Sequence, residues 1–149
     1  MASSPTAQDI IKALNLSPHP EKGYFIETFR DTATNADGKS HSTCIYYLLE
    51  GDSGISHWHR VHGSVETWHH YAGAPLQLSL SHNDGSATRT KTLGKNILGG
   101  EEPQVIVQSN EWQCAKSLGD WTLVGCTVAP AFTMEAFEMA EPGWEPPVN

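Results

Sequence analysis

The chain has 149 residues, 38% of them hydrophobic, and a formal net charge of −8, which fits one domain able to bury a core. Seventeen acidic side chains face nine basic ones; with no Lys/Arg cluster, this excludes a nucleic-acid surface. No stretch has the length and apolarity of a membrane span. Cys44, Cys114 and Cys126 are odd in number and form no CxxC pair, so they read as small core residues in a reducing cytoplasm rather than as a disulfide framework. The N-terminal Met-Ala-Ser-Ser-Pro-Thr lacks the charged start and apolar run of a secretory signal.

Residues 5–16 read as the one clear helix. Thr6 and Asp9 make a capping box, Ile10, Ile11, Ala13 and Leu14 form an apolar stripe, Asn15 is a stop, and Pro18 and Pro20 forbid continuation. Ser-Pro-His-Pro-Glu-Lys-Gly (17–23) reads as a turn leading into a strand over Tyr24–Arg30. A loop around Asp37-Gly38 precedes a strong strand within Ser42–Leu49. Pro75–His82 and Ala87–Leu93 are strands joined by a hairpin turn at Asn83-Asp84-Gly85, and further strands follow at 104–108, 112–117 and 121–128. Short strands with regular turns, and helix only at the start, predict an all-β barrel or sandwich. The proline-rich tail, 141–149, is expected to be a surface arm or disordered chain beyond a single domain over 5–140.

Chemistry concentrates between Ser56 and Gly73, which holds five of the eight histidines. His57 and His59 are two apart, so a strand points both to one face. A turn at Gly63-Ser64 predicts an antiparallel return on which Glu66, Trp68 and His70 share a face. Two imidazoles and a carboxylate are the ligand types of a first-row divalent metal. His57 is also a candidate general base, and His70 a candidate further ligand. Trp68 and Tyr46 could wall a pocket, and an inward Arg30 would anchor a carboxylate or phosphate. His62 is expected in a solvent-exposed turn or lid, and His69 on the outer face.

The same stretch resembles the first motif of the cupins, small jelly-roll barrels: a glycine, His57-x-His59, Glu66, and Gly73 beyond it. The second cupin motif is eroded to Gln108-Ser-Asn-Glu-Trp-Gln113, with Gln113 where a histidine ligand is usual. A narrower resemblance, to the cupin-5 (DUF985) family, rests on Pro18-His-Pro-Glu-Lys-Gly-Tyr-Phe25 with Glu27-Thr-Phe-Arg30, Tyr46-Tyr-Leu-Leu-Glu-Gly51, Trp58-His-Arg60 with Glu66-Thr-Trp-His69, and Gly125-Cys-Thr-Val-Ala-Pro130 with Phe137-Glu138. The chain departs from the family at Lys22 and Ala131, where glycine is usual. The resemblance implies a single cupin jelly-roll β-barrel with a short N-terminal helix, and a homodimer. It implies no particular reaction.

Two functions follow from these residues. One is a small-molecule enzyme, an isomerase, epimerase, cyclase or lyase with His59, Glu66, His57 and His70 as catalytic residues. A divalent metal (Zn, Ni, Mn or Fe) would be held by His57, His59, Glu66 and Gln113, or the histidines would act metal-free as acid and base; iron would permit dioxygenase chemistry. The other is a non-catalytic barrel that binds a sugar, nucleotide or metabolite.

Overall fold

The computed structural model describes residues 3–149; Met1 and Ala2, where the segment read as lacking a secretory signal begins, lie outside the described residues. Helix α1 spans Ala7–Leu14. The Asp9 amide donates to Thr6 Oγ1 at 3.2 Å and the Thr6 amide donates to the Asp9 carboxylate at 2.8 Å, the reciprocal bonds of a capping box. Asn15 ends the helix in the left-handed conformation, φ 57°. Among the described residues no helix is long and apolar enough to cross a membrane.

The strands are β1 (Ser17–Pro18), β2 (Tyr24–Arg30), β3 (Thr43–Glu50), β4 (His59–Val61), β5 (Val65–Gly73), β6 (Leu76–Ser81), β7 (Arg89–Leu93), β8 (Gln104–Val107), β9 (Trp112–Ser117), β10 (Trp121–Ala129) and β11 (Phe137–Met139). They form two antiparallel sheets in the orders β1-β2-β3-β10-β5-β8 and β11-β4-β9-β6-β7, the face-to-face arrangement of a jelly roll. The alternation of β3 explains its two environments. Tyr47 and Leu49 point between the sheets with Trp68, Leu78, Val105, Val107 and Val124, while Leu48 points outward under Ala7 and Leu16 of the helical segment.

The histidine-rich hairpin expected between His57 and His70 does not form. β4 pairs with β9 and β11, whereas β5 pairs with β10 and β8. The Gly63-Ser64 turn therefore carries the chain from one sheet to the other, with Gly63 at φ 74° and Ser64 Oγ donating to the Pro130 carbonyl at 2.8 Å. His59 and Glu66 consequently face one interior from opposite walls. The hairpin at Asn83-Asp84-Gly85 does form, with Leu80 opposite Arg89. The tail from residue 141 lies as an arm along the five-stranded sheet; Val148 bridges to Gly85, and the Asn149 amide donates to the Gly85 carbonyl at 3.1 Å.

The segment before β2 folds back against the barrel through two consecutive left-handed residues, Lys22 (φ 86°) and Gly23 (φ 78°). A Cβ on Gly23 would lie 2.6 Å from the Leu48 carbonyl oxygen and 2.8 Å from the Tyr47 ring, so only glycine fits. Gly23→Ala is expected to destabilise the fold by about 2–3 kcal/mol. The check is a urea midpoint lowered at unchanged slope; a midpoint equal to that of the parent would show that the loop yields freely.

Candidate active site

The loop built by Lys22-Gly23 brings Glu21 into the barrel. Its carboxylate is 5% exposed and sits 2.7 Å from His59 Nε2. Tyr47 fixes the loop from beneath by donating its hydroxyl to the Lys22 carbonyl at 2.8 Å, and the His57 amide donates to the Glu21 carbonyl at 3.1 Å. His59 Nδ1 lies 3.0 Å from the His57 carbonyl. A carbonyl only accepts, so Nδ1 carries a proton. Burial disfavours the imidazolium, but the Glu21 charge and hydrogen bond, with Glu66 and the His57 carbonyl, outweigh it and raise the His59 pKa to about 9. Burial also pushes Glu21 up; the facing His59 more than offsets this and holds its carboxyl below the ordinary value. At neutral pH the pair is a buried ion pair with both imidazole nitrogens donating.

Glu66, 8% exposed, completes the group from β5. Gln113 on β9 donates its amide Nε2 to Glu66 at 2.6 Å and accepts the Trp68 indole N–H at 2.9 Å, which fixes the orientation of the amide. Burial raises the Glu66 pKa; His59 pulls it down, and Glu21 pushes it further up. His19, two residues before Glu21, accepts the Glu21 amide at Nδ1, 3.1 Å away, so its proton sits on Nε2. Burial lowers the His19 pKa, against the pull of Glu21, and keeps the ring neutral. The ring packs edge-on against Phe25 at 4.6 Å.

These polar groups end in a cavity of about 50 Å3 walled by Phe25, Ile45, Phe132 and Phe137, with Cys126 at its side, room for roughly three to five water molecules. No Lys or Arg lines it. Glu27, at its edge, is paired with Arg30 at 2.7 Å.

The remaining sequence candidates lie elsewhere. His57 gives the site its carbonyl, but its ring lines an outer groove; it precedes β4, so the alternation that would align it with His59 does not reach it. His70 bonds the Ala74 carbonyl at 2.9 Å near the β5–β6 turn. Tyr46 packs outward, edge-on to Tyr71, and Arg30 is bound to Glu27 and the Phe132 carbonyl, not aimed inward as an anion anchor. Trp68 is 2% exposed and supports Gln113 without lining the cavity. His62 is bound to Glu138 and Asn110, and His69 stacks on Tyr71. The four expected metal ligands do not converge in this arrangement: His57 is absent from the group, Gln113 Oε1 accepts from Trp68, and both His59 nitrogens donate. No group of three His, Cys, Asp or Glu side chains among the described residues has the geometry to hold a metal. His19 and Glu21 escaped the sequence reading because their prolines read as a turn; the available signal was a histidine and a glutamate two apart, directly before a strand.

The pair sets a pH dependence. His59, with a folded pKa of about 9 against an ordinary 6.5, contributes stability that is fully present below pH 6.5 and is lost as pH rises through about 9. Glu66, also raised, loses its contribution as pH rises, while Glu21, lowered, loses its contribution on acidification below the ordinary carboxyl value. Melting temperature is therefore expected to fall between pH 6.5 and 9. Glu21→Gln should lower stability by about 3–5 kcal/mol and flatten that slope. An unchanged slope in a folded Glu21→Gln variant would refute the pairing.

The comparisons place the chain in a family. Residues 8–140 match the model of the Cupin superfamily (DUF985) family, Cupin_5. A hypothetical protein from Leishmania major is 32% identical, with 90% of this chain and 86% of that chain aligned and a TM-score of 0.80. A Shewanella oneidensis protein is 30% identical, covering 93% of this chain and 86% of its own, at a TM-score of 0.86. A variant of the Streptomyces protein PAC13, solved with uridine, shares the fold at 12% identity, covering 83% and 82% of the two chains, with a TM-score of 0.54. No match was found among curated proteins. The chain belongs to the Cupin_5 (DUF985) family of the cupin superfamily.

Proposed function

We propose that the barrel is a small-molecule isomerase or epimerase that moves a proton on an uncharged carbonyl compound by acid–base chemistry of its own side chains. The observation that carries this reading is the buried Glu21–His59 ion pair beside a carboxyl, Glu66, whose pKa is raised toward the range useful for proton transfer. Glu66 as carboxylate takes the proton from the carbon next to the carbonyl; the C–H bond breaks and an O–H bond forms on Glu66. The negative charge collects on the carbonyl oxygen as an enolate, facing the His59 imidazolium and accepting the Nε2–H of neutral His19. His19 gives its Nε2 proton to the enolate oxygen and takes the proton of the neighbouring hydroxyl, and Glu66 returns its proton to that neighbouring carbon on the same face, so carbonyl and carbinol exchange; return to the original carbon with inversion requires the planar enolate to turn over in the cavity first. No step uses a metal.

The substrate class follows from charge. With Glu66 as the reactive carboxylate, the Glu21, His59 and Glu66 group is on balance negative, and the one nearby guanidinium, Arg30, is engaged by Glu27. An anionic substrate would meet no cation other than the already paired imidazolium. A small neutral hydroxyketone or aldose suits the cavity better than a nucleotide or sugar phosphate.

The test is deuterium incorporation from D2O into dihydroxyacetone and glyceraldehyde, followed by proton NMR on chelator-treated protein. Exchange is expected to survive the chelator and to fall about a hundredfold or more in Glu66→Gln, whose fold the Gln113 amide still supports. Exchange lost on chelation and restored by a divalent metal would overturn the metal-free reading. If neither carbonyl exchanges yet both bind, the barrel is the non-catalytic binding module. The homodimer belongs to the same proposal; light scattering should give about twice the 16.3 kDa of one chain, and a monomer mass would remove it.

A further inference from the structure

A second concave site lies on the far side of the five-stranded sheet, under the C-terminal arm. Its groove, about 530 Å3, has Ser79 and Cys114 on the floor, Trp58 and Trp144 as walls, and Glu141 and Glu145 along it; its size is that of ordinary small-molecule sites. The Trp58 and Trp144 rings meet at 90° with centroids 6.3 Å apart, which forms an aromatic corner. Trp144 is set there by a tight turn: its amide donates to the Glu141 carbonyl at 3.0 Å, across Pro142 and Gly143, the latter at φ 83°. It also packs on Trp112 at 4.7 Å. The arm is tied at both ends, by the Ala140 amide donating to the Trp58 carbonyl at 2.9 Å and by the Asn149 amide at Gly85. The corner is thus built before any ligand arrives.

The charges around it are on balance acidic. Glu141 and Glu145 have no ion-pair partner among the described residues. Lys22 also lines the groove and sets one positive charge against these two carboxylates, with its ammonium turned onto backbone carbonyls. Lys22 Nζ donates to the Ser53 and Ile55 carbonyls, both at 3.1 Å. Arg60 is paired with Glu138 at 2.8 Å and lies 4.7 Å over the Trp112 ring. The tryptophan cluster therefore already holds one cation, while the faces of Trp58 and Trp144 carry none among the described residues. Aromatic walls with carboxylates favour a weakly hydrated organic cation, whose desolvation is inexpensive and which gains from the ring faces; a hard metal ion would need a shell of oxygens instead.

We propose that this groove is a second binding site, separate from the barrel cavity, for an organic cation of the quaternary or methylated ammonium class. The probe is choline chloride, titrated by calorimetry and tryptophan fluorescence against sodium chloride at equal ionic strength. Saturable binding specific to choline is expected. Trp144→Ala should weaken it about fivefold or more, and Trp144→Phe, which keeps a ring, should retain most of it. The double change Glu141→Gln with Glu145→Gln leaves the rings in place and should weaken binding about threefold or more, with a loss of salt dependence. Glu66→Gln should not affect choline, so this result and that of the barrel chemistry are independent. A response matched by sodium chloride, choline binding equal in Trp144→Ala and the parent, or saturation by methyl glucoside without saturation by choline would each overturn the proposal.

Discussion

Placing Glu21 against His59 is the constraint on which the rest of the site depends. Two charges removed from water are tolerated only where geometry and further hydrogen bonds offset the desolvation. Here the His57 carbonyl takes the second His59 proton, the His57 amide holds the Glu21 backbone, and the Tyr47 hydroxyl anchors Lys22. The chain reaches this position only through the left-handed pair Lys22-Gly23, one of them a residue with a Cβ. Lys22 is held there by its own side chain, which donates to two carbonyls of the 53–55 loop.

From that pair the electrostatics of the cavity follow. Burial raises the Glu66 carboxyl; the His59 imidazolium pulls it down, and Glu21, by pairing with that imidazolium and repelling a second carboxylate, offsets part of the pull. Trp68 and Gln113 act together behind it: the indole fixes the amide, and the amide fixes the carboxyl. The residue that stands in the usual place of a cupin histidine ligand thus serves as a hydrogen-bond relay between Trp68 and Glu66.

A single short segment serves both faces of the five-stranded sheet. His59 turns into the barrel, while Trp58 and the His57 ring line the groove beneath the arm. The two sites differ in kind because their walls do. The inner one is small, with apolar walls around a buried ion pair and a carboxyl; the outer one is larger, aromatic and on balance acidic.

The helix with its capping box, β2, the 83–85 hairpin and the alternation of β3 were all legible in the sequence, because each is set by residues within a few positions of one another. So was the family, through motifs spread along the chain, and so were His59 and Glu66 as residues of one interior. The sequence could not say that Gly63-Ser64 is a crossing between sheets, since a turn residue permits a hairpin and a crossover alike and pairing depends on β9, β10 and β11 far along the chain. Nor could local alternation place His57, which lies just outside the strand. Tertiary structure alone decided that Glu21 and His19 complete the site and that Arg30 does not, because burial and charge pairing are settled by which distant segments meet.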